Sequence, residues 1–312
     1  RYGRPIRRVA VDAVAEPNPR LMRRPHRKPP ERPSGASSRV AGLLAGVTTA
    51  AAWQWLRQSP AGADPAWIRQ NFRQREVSLL LGPAAAAGAV VGLALATPPP
   101  RRRAVVAVTA IGLVGAYDDR YGDSHARGLG GHLEALRQGR VTTGMVKLVT
   151  MGSVAAATSH RQHRKPADAV LGTVLVAGTA NLVNLFDVRP GRAEKVTTLA
   201  ALAMTRVGDP AARAMASVAG SAAAAALGPD VRENAMLGDC GAGALGATLG
   251  WSLAARPSRV ARTAAAAGVV AATRASERTS FSSVIDANPV LRTIDRLGRR
   301  DLLSQLRTSR GR

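Results

Sequence analysis

Four carboxylates stand where carboxylates are scarce. Asp118 and Asp119 close the run AVVAVTAIGLVGAY, which carries no charge from Ala104 to Tyr117, while Asp187 ends NLVNLFD and Asp239 lies in AMLGDCGAGALG. Each falls where an apolar stretch meets a glycine-containing loop, so a helix end could hold the charge at the edge of an apolar medium. Ionisable groups in such positions are costly and point to function. One acid at one helix boundary is more often a solvated cap than a ligand, so the weight rests on the set. Carboxylates gathered by helix packing beside glycine-rich backbone make a hard oxygen site suited to Mg²⁺, which typically takes one or two carboxylates together with substrate phosphates. Such an ion neutralises a diphosphate and orients it for attack. Lys147, in the otherwise apolar TGMVKLVTMGS, is the matching phosphate partner. The plainer reading makes it an interfacial lysine with its ammonium in water.

The elements that must position these residues follow from where the charge lies. The chain has 44 Lys and Arg against 20 Asp and Glu, a formal charge of +24, yet 46% of its residues are apolar. Basic residues concentrate at the two ends and in short connectors, with apolar runs between them at 39–56, 78–97, 104–117, 143–158, 168–186, 196–207, 211–228, 241–256 and 259–273. This layout predicts an all-α, polytopic integral membrane protein with about nine to ten transmembrane helices. Several runs are short for a span, but GPAAAAGAVVGLALA, GSAAAAALG and GAGALGATLG offer the small-residue faces that let membrane helices approach closely. Trp53, Trp55 and Trp251 lie at run ends, where interfacial rings are expected.

Three regions follow. Residues 1–37 form a basic arm, its first 36 residues holding ten Lys or Arg against three acids with scattered prolines, expected to be disordered. Residues 38–274 form the transmembrane domain. Residues 275–312 form a polar tail, in which VIDANPVLRTIDRLGRRDLLSQL has the spacing of an amphipathic surface helix. The basic surplus suits anionic lipid beside the spans. Nucleic acid is disfavoured because aromatics are 3% of residues, too few to interleave a basic face. A single cysteine, Cys240, excludes an internal disulfide, and no cleavable signal peptide is expected. A transporter would show internal repeats, and none is convincing.

Taken in order, GAYDDRYGD, GLGGHLEALRQGRVTTGMVKLV, NLVNLFDVRPGRA and MLGDCGAGALG resemble the motifs of the polyprenyl-phosphate N-acetylhexosamine-1-phosphate transferase family, which includes phospho-MurNAc-pentapeptide and GlcNAc-1-phosphate transferases. WIRQNFRQREVSLLLGPA, at 67–84, further resembles that family's basic loop between the first and second spans. The resemblance runs from about residue 39 to 256. It implies a multi-pass enzyme of the plasma membrane, its active site facing the cytoplasm. Such an enzyme transfers sugar-1-phosphate from a UDP-sugar to polyprenyl phosphate with Mg²⁺, or Mn²⁺ as the alternative, and releases UMP in envelope glycan synthesis. It implies catalytic roles for Asp118, Asp119 and Asp187, metal ligation by Asp187 and Asp239, and substrate binding by Lys147, Asn181 and Asn184. A homodimer is left open.

The chain departs from the family at four points. Val188 and Pro190 replace the glycine and second aspartate of the asparagine-rich motif, Cys240 replaces a serine, and the family's histidine-rich loop has no counterpart, since the five histidines lie at 26, 125, 132, 160 and 163. The donor side is therefore altered, with Arg292, Arg296, Arg299 and Arg300 as substitute anion contacts. The competing expectation is a noncatalytic membrane scaffold of envelope assembly. Topology raises its own conflict: three spans before DDRYGD place the basic arm outside, whereas its charge favours the cytoplasmic side.

Overall fold

In a computed structural model of the chain, residues 35–96, 101–122 and 128–299 are described. Of the expected basic arm, residues 1–34 lie outside them, as does the tail from residue 300 with Arg300, while 35–37 open the first helix.

Every apolar run becomes one helix. The long helices among the described residues are α1 (Gly35–Gln58), α2 (Leu81–Leu95), α3 (Arg101–Tyr121), α5 (Thr143–Gln162), α6 (Pro166–Phe186), α7 (Arg192–Thr205), α8 (Pro210–Val231), α9 (Gly238–Ala254) and α10 (Arg259–Arg278), with a short α4 (Gly128–Arg137) between α3 and α5. Their starts are encoded locally. Thr142 caps α5 by accepting from the Met145 N–H at 3.2 Å, and Asp209 caps α8 by accepting from the Ala212 N–H at 2.8 Å, with Pro210 in the first turn. Each satisfies an N–H that the helix itself cannot, and proline there forfeits no hydrogen bond.

Helix α9 is the axis. Nearly all its residues are buried, and it packs against α2, α3, α6 and α8. Small residues permit this: a Cβ added to Gly246 would lie 2.6 Å from the Ala180 Cα, a contact no side chain could accept. Around it α1 packs on α2 and α8, α5 on α3 and α6, α7 on α8, and α10 on α6. The resulting core is mainly alanine with Leu, Val and Trp251. Trp251 is fully enclosed, so it is a core residue rather than the interfacial ring its place at a run end suggests; Trp55 is 69% exposed.

Between α1 and α2 the basic stretch forms a small antiparallel hairpin, β1 (Ile68–Gln70) and β2 (Glu76–Ser78). Its second strand is also bonded to the chain before α9: Ser78 N–H donates to the Asn234 carbonyl at 3.2 Å, and Met236 N–H to the Ser78 carbonyl at 3.0 Å. Glu233, with φ +56° in the left-handed region, anchors the hairpin turn through Asn71 at 3.0 Å and Arg73 at 3.1 Å.

The expected amphipathic helix of the tail is broken in two, α11 (Phe281–Ala287) and α12 (Pro289–Arg296). Asn288 caps α12 and Pro289 starts it, and a proline at that point cannot continue the helix before it. Both pieces dock on the bundle. Phe281 stacks on Phe186 with ring centroids 4.4 Å apart, and buried Arg192 grips buried Asp295 through two hydrogen bonds of 2.7 and 3.1 Å.

By length and composition, Pro166–Phe186 is the one helix among the described residues that is long and apolar enough to cross a membrane, with mean hydropathy 1.7; Leu81–Leu95 is apolar but shorter. The all-α class is thus established. The alanine content that packs the bundle so tightly also keeps most of its helices weak on a hydropathy scale.

Candidate functional site

Helix ends build the site. The last turn of α3, the first turns of α5 and α9 and the end of α6 meet at one end of the bundle, and Lys147 stands between two acids there. Its Nζ lies 2.7 Å from Asp118 Oδ2 and 2.8 Å from Asp239 Oδ2, with the three side chains only 11–22% exposed. Lys147 is therefore not the interfacial lysine of the plainer reading. Its ammonium bridges two carboxylates contributed by α3 and α9, 121 residues apart in the chain.

Asp119, the next residue, faces inward. One carboxylate oxygen accepts from the Asp239 N–H at 2.8 Å and the other from the Cys240 N–H at 2.9 Å, and the residue is 5% exposed. This is an N-cap supplied by another helix: its carboxyl oxygens satisfy the unpaired donors of α9 at the positive end of its dipole. Gly238, with φ +59°, makes room, since a Cβ there would meet the Asp119 carboxylate at 2.7 Å. Gly115 does the same one turn back along α3, where a Cβ would come 2.5 Å from the Asp239 carbonyl oxygen. Arg69 of the hairpin donates from Nη2 to the Asp119 backbone carbonyl.

Two cavities open beside these groups. The first, about 380 Å³, is lined by Asp118, Asp119, Asp239, Asn184, Asp187 and Arg69, among others. The second, about 270 Å³, lies under the hairpin and shares Arg69, Asp187 and Met236 with the first. Asp187 borders both. Burial, and next the charge of Asp230, push its carboxyl well above the ordinary value.

Behind Asp187 a second group of acids gathers. One carboxylate oxygen from each of Asp187, Glu194 and Asp230 lies within 4.8 Å of the others. The tight turn after α6, with Gly191 at φ +72°, returns the chain so that Glu194 in the first turn of α7 faces Asp187, while Asp230 comes from the last turn of α8. Such a buried acidic cluster has the donor set of a metal site.

Of the residues singled out in the sequence, Asp118, Lys147 and Asp239 make one ion-paired group, and Asp119, Asn184 and Asp187 line the same cavity. Asn181 lies one turn back along α6 and is not among the lining residues. Arg292 and Arg296 are on α12 and line neither cavity; the arginine that reaches this region from the C-terminal segment is Arg299, which donates to the Pro190 carbonyl at 3.0 Å. Arg69, Glu194 and Asp230 were not anticipated. Asp230, in LGPDVREN at the end of an apolar run, meets the same description as the acids that were.

No protein-family model matches the chain, and no curated protein matches it.

Proposed function

We propose that the protein is a multi-pass membrane transferase that moves a sugar-1-phosphate, N-acetylhexosamine-1-phosphate above all, from a UDP-sugar to polyprenyl phosphate in envelope glycan synthesis. The observation that carries the reading is Lys147, held between Asp118 and Asp239 at a cavity also walled by Arg69, Asn184 and Asp187. Phosphoryl transfer asks mainly for positioning and for charge neutralisation, and this wall offers both. An oxygen of the lipid phosphate forms a bond to the sugar-linked phosphorus while that phosphorus loses its bond to UMP, which leaves with the electron pair. The acceptor enters ionised and needs no base. Lys147 exchanges carboxylate oxygens for phosphate oxygens, Arg69 adds a second cation, and Asn184 offers an amide to the donor. A divalent cation, Mg²⁺ or Mn²⁺, would be held by Asp187 and Asp239 of this wall and would supply charge neutralisation on the diphosphate.

Membrane insertion rests on the outer surface. Leu43 and Val47 of α1, Leu113 of α3, Val149 of α5 and Leu199 and Leu202 of α7 are each more than half exposed. An apolar surface of this kind suits lipid better than water. Helix α6, 21 residues long, spans about 31 Å at 1.5 Å per residue, the thickness of a hydrocarbon core. The site end of the bundle then faces the cytoplasm.

A noncatalytic scaffold is the second reading, favoured by one observation: the ion pairs of Lys147 and the hydrogen bonds of Asp119 are complete without substrate.

The deciding experiment is UMP release by purified protein in detergent, with polyprenyl phosphate and Mg²⁺, across a panel of UDP-sugars, beside a folded Asp239→Asn control. Metal-dependent release with one sugar, lost in the control, is expected. Silence across the panel from folded protein would overturn the enzyme reading in favour of the scaffold.

A further inference from the structure

The two acidic groups of this end of the bundle differ in how their charge is met. Asp118 and Asp239 share the ammonium of Lys147. The second group has nothing comparable. Glu194 is fully buried, and its carboxylate oxygens are met by no N–H or hydroxyl donor of another residue; their close polar neighbour is the Asp230 carboxyl. Asp230, 3% exposed, accepts one hydrogen bond, from the Gly191 N–H at 3.0 Å. The neighbouring cations make hydrogen bonds to other groups, Lys195 Nζ to the Asp295 carbonyl at 2.7 Å, Arg192 to the Asp295 carboxylate and Arg299 to the Pro190 carbonyl at 3.0 Å, and the charges of Arg299 and Lys195 offset only part of the negative charge at Asp230. One turn along α7 from Glu194, the buried hydroxyl of Thr197 is likewise without a partner.

A buried carboxylate left without donors is strongly unfavourable, and three carboxylates this close cannot all stay ionised alone. Two solutions exist: protons or a cation. Oxygen atoms within 4.8 Å of one another are close enough that a small inward shift of the side chains brings all three to one ion at the roughly 2.0–2.6 Å typical of Mg²⁺ and Ca²⁺. An all-oxygen donor set selects hard divalent ions over those that prefer nitrogen or sulfur.

We infer that Asp187, Glu194 and Asp230 hold a resident hard divalent cation, bound without substrate, that ties the end of α6 to the start of α7 and the end of α8. The inference does not depend on the transferase reading. It concerns an ion of the resting protein, and it makes Glu194 a ligand.

Mn²⁺ is the probe. Full-length protein in detergent, stripped with chelator and free of UDP-sugar and lipid phosphate, is titrated with Mn²⁺ while the free ion is followed by electron paramagnetic resonance and thermal melting is recorded in parallel. One saturable Mn²⁺ per chain, displaced by Mg²⁺ and raising the melting temperature, is expected. Glu194→Gln and Asp230→Asn should each weaken binding by about tenfold or more, as loss of a carboxylate ligand does, and Asp168→Asn, at the other end of α6 where the carboxylate pairs with Arg262, should leave it unchanged. Glu194→Gln removes a charge from a crowded site, so its metal-free melting temperature should match or exceed that of the wild type, which shows that it folds. No saturable site, or equal affinity in wild type and Glu194→Gln, overturns the inference and leaves the cluster neutralised by protons. Because no substrate is present, failure of sugar transfer does not touch this result, nor does failure of Mn²⁺ binding by itself decide transfer.

Discussion

Asp119 Oδ2 accepts the Cys240 N–H at 2.9 Å, joining the end of one helix to the start of another across 121 residues of sequence. With the matching bond to the Asp239 N–H, it fixes the first turn of α9 and thereby aims the Asp239 side chain at Lys147. Both members of the Asp-Asp pair line the cavity, and the second also holds its frame.

Asp119→Ala should therefore act first on stability. Losing two hydrogen bonds to a buried carboxylate, with the α9 donors left unmet, is expected to cost about 2–4 kcal/mol. Asp119→Asn keeps one acceptor and should lose less. Denaturant unfolding of the two variants checks the order, and equal losses would argue that the charge rather than the geometry matters.

Lys147→Met leaves Asp118 and Asp239 facing each other without a cation. The group is partly buried, so a loss of about 1–3 kcal/mol is expected, below the ~3–5 kcal/mol of a fully buried broken pair. Adding Asp118→Asn should restore part of that stability. Neither variant should release UMP. A thermal melt and the UMP assay, run on the same preparations, separate the two effects.

Gly115→Ala should push α3 away from the start of α9, since its Cβ would come 2.5 Å from the Asp239 carbonyl oxygen and 2.7 Å from the Cys240 nitrogen. About 1–3 kcal/mol of destabilisation is expected, the range for overpacking. Gly152→Ala in α5, where nothing lies within 4 Å, is the control and should stabilise by up to ~1 kcal/mol through helix propensity alone.

The docking of the C-terminal helices should weaken in acid. Burial would raise the Asp295 carboxyl, but the hydrogen bonds of Arg192 and the charges of Arg299, Arg192 and Lys195 outweigh it and hold the group below its ordinary value of 3.8. A carboxyl lowered on folding contributes stability fully present above that value and lost as pH falls through the lower, folded one. The stability gap between wild type and Asp295→Asn should therefore be constant near neutrality and narrow below pH 3.8. Melting curves at several pH values, with protease cleavage after α10 as a second readout, test it.

How much of this was legible in the chain differs by element. The helices were, because each apolar run is bounded by charge, Gly or Pro, and the boundaries survive whatever packs between them. The hairpin at 68–78 was not: strands of three residues show no alternation, and what holds them is Glu233, far along the sequence. Asp118, Lys147 and Asp239 were legible as lone charges beside apolar runs. Glu194 was not, because only the turn at 188–191 brings it back on Asp187, and a turn's direction is not written in spacing. Trp251 misled for a similar reason: position at the end of a run says nothing about which way the ring faces.

Helix α9 carries a consequence for biogenesis. The four helices that pack most extensively on it, α2, α3, α6 and α8, all precede it in the chain, so during synthesis most of the wall of its slot emerges before the piece that fills it. Until Gly238 and its successors arrive, the Asp119 carboxylate has no donors to receive it, and Lys147 faces Asp118 alone. The wait is built into gene order. A ribosome halted before residue 238 would leave a bundle with an open seam, and that nascent form is the one a quality-control protease would meet.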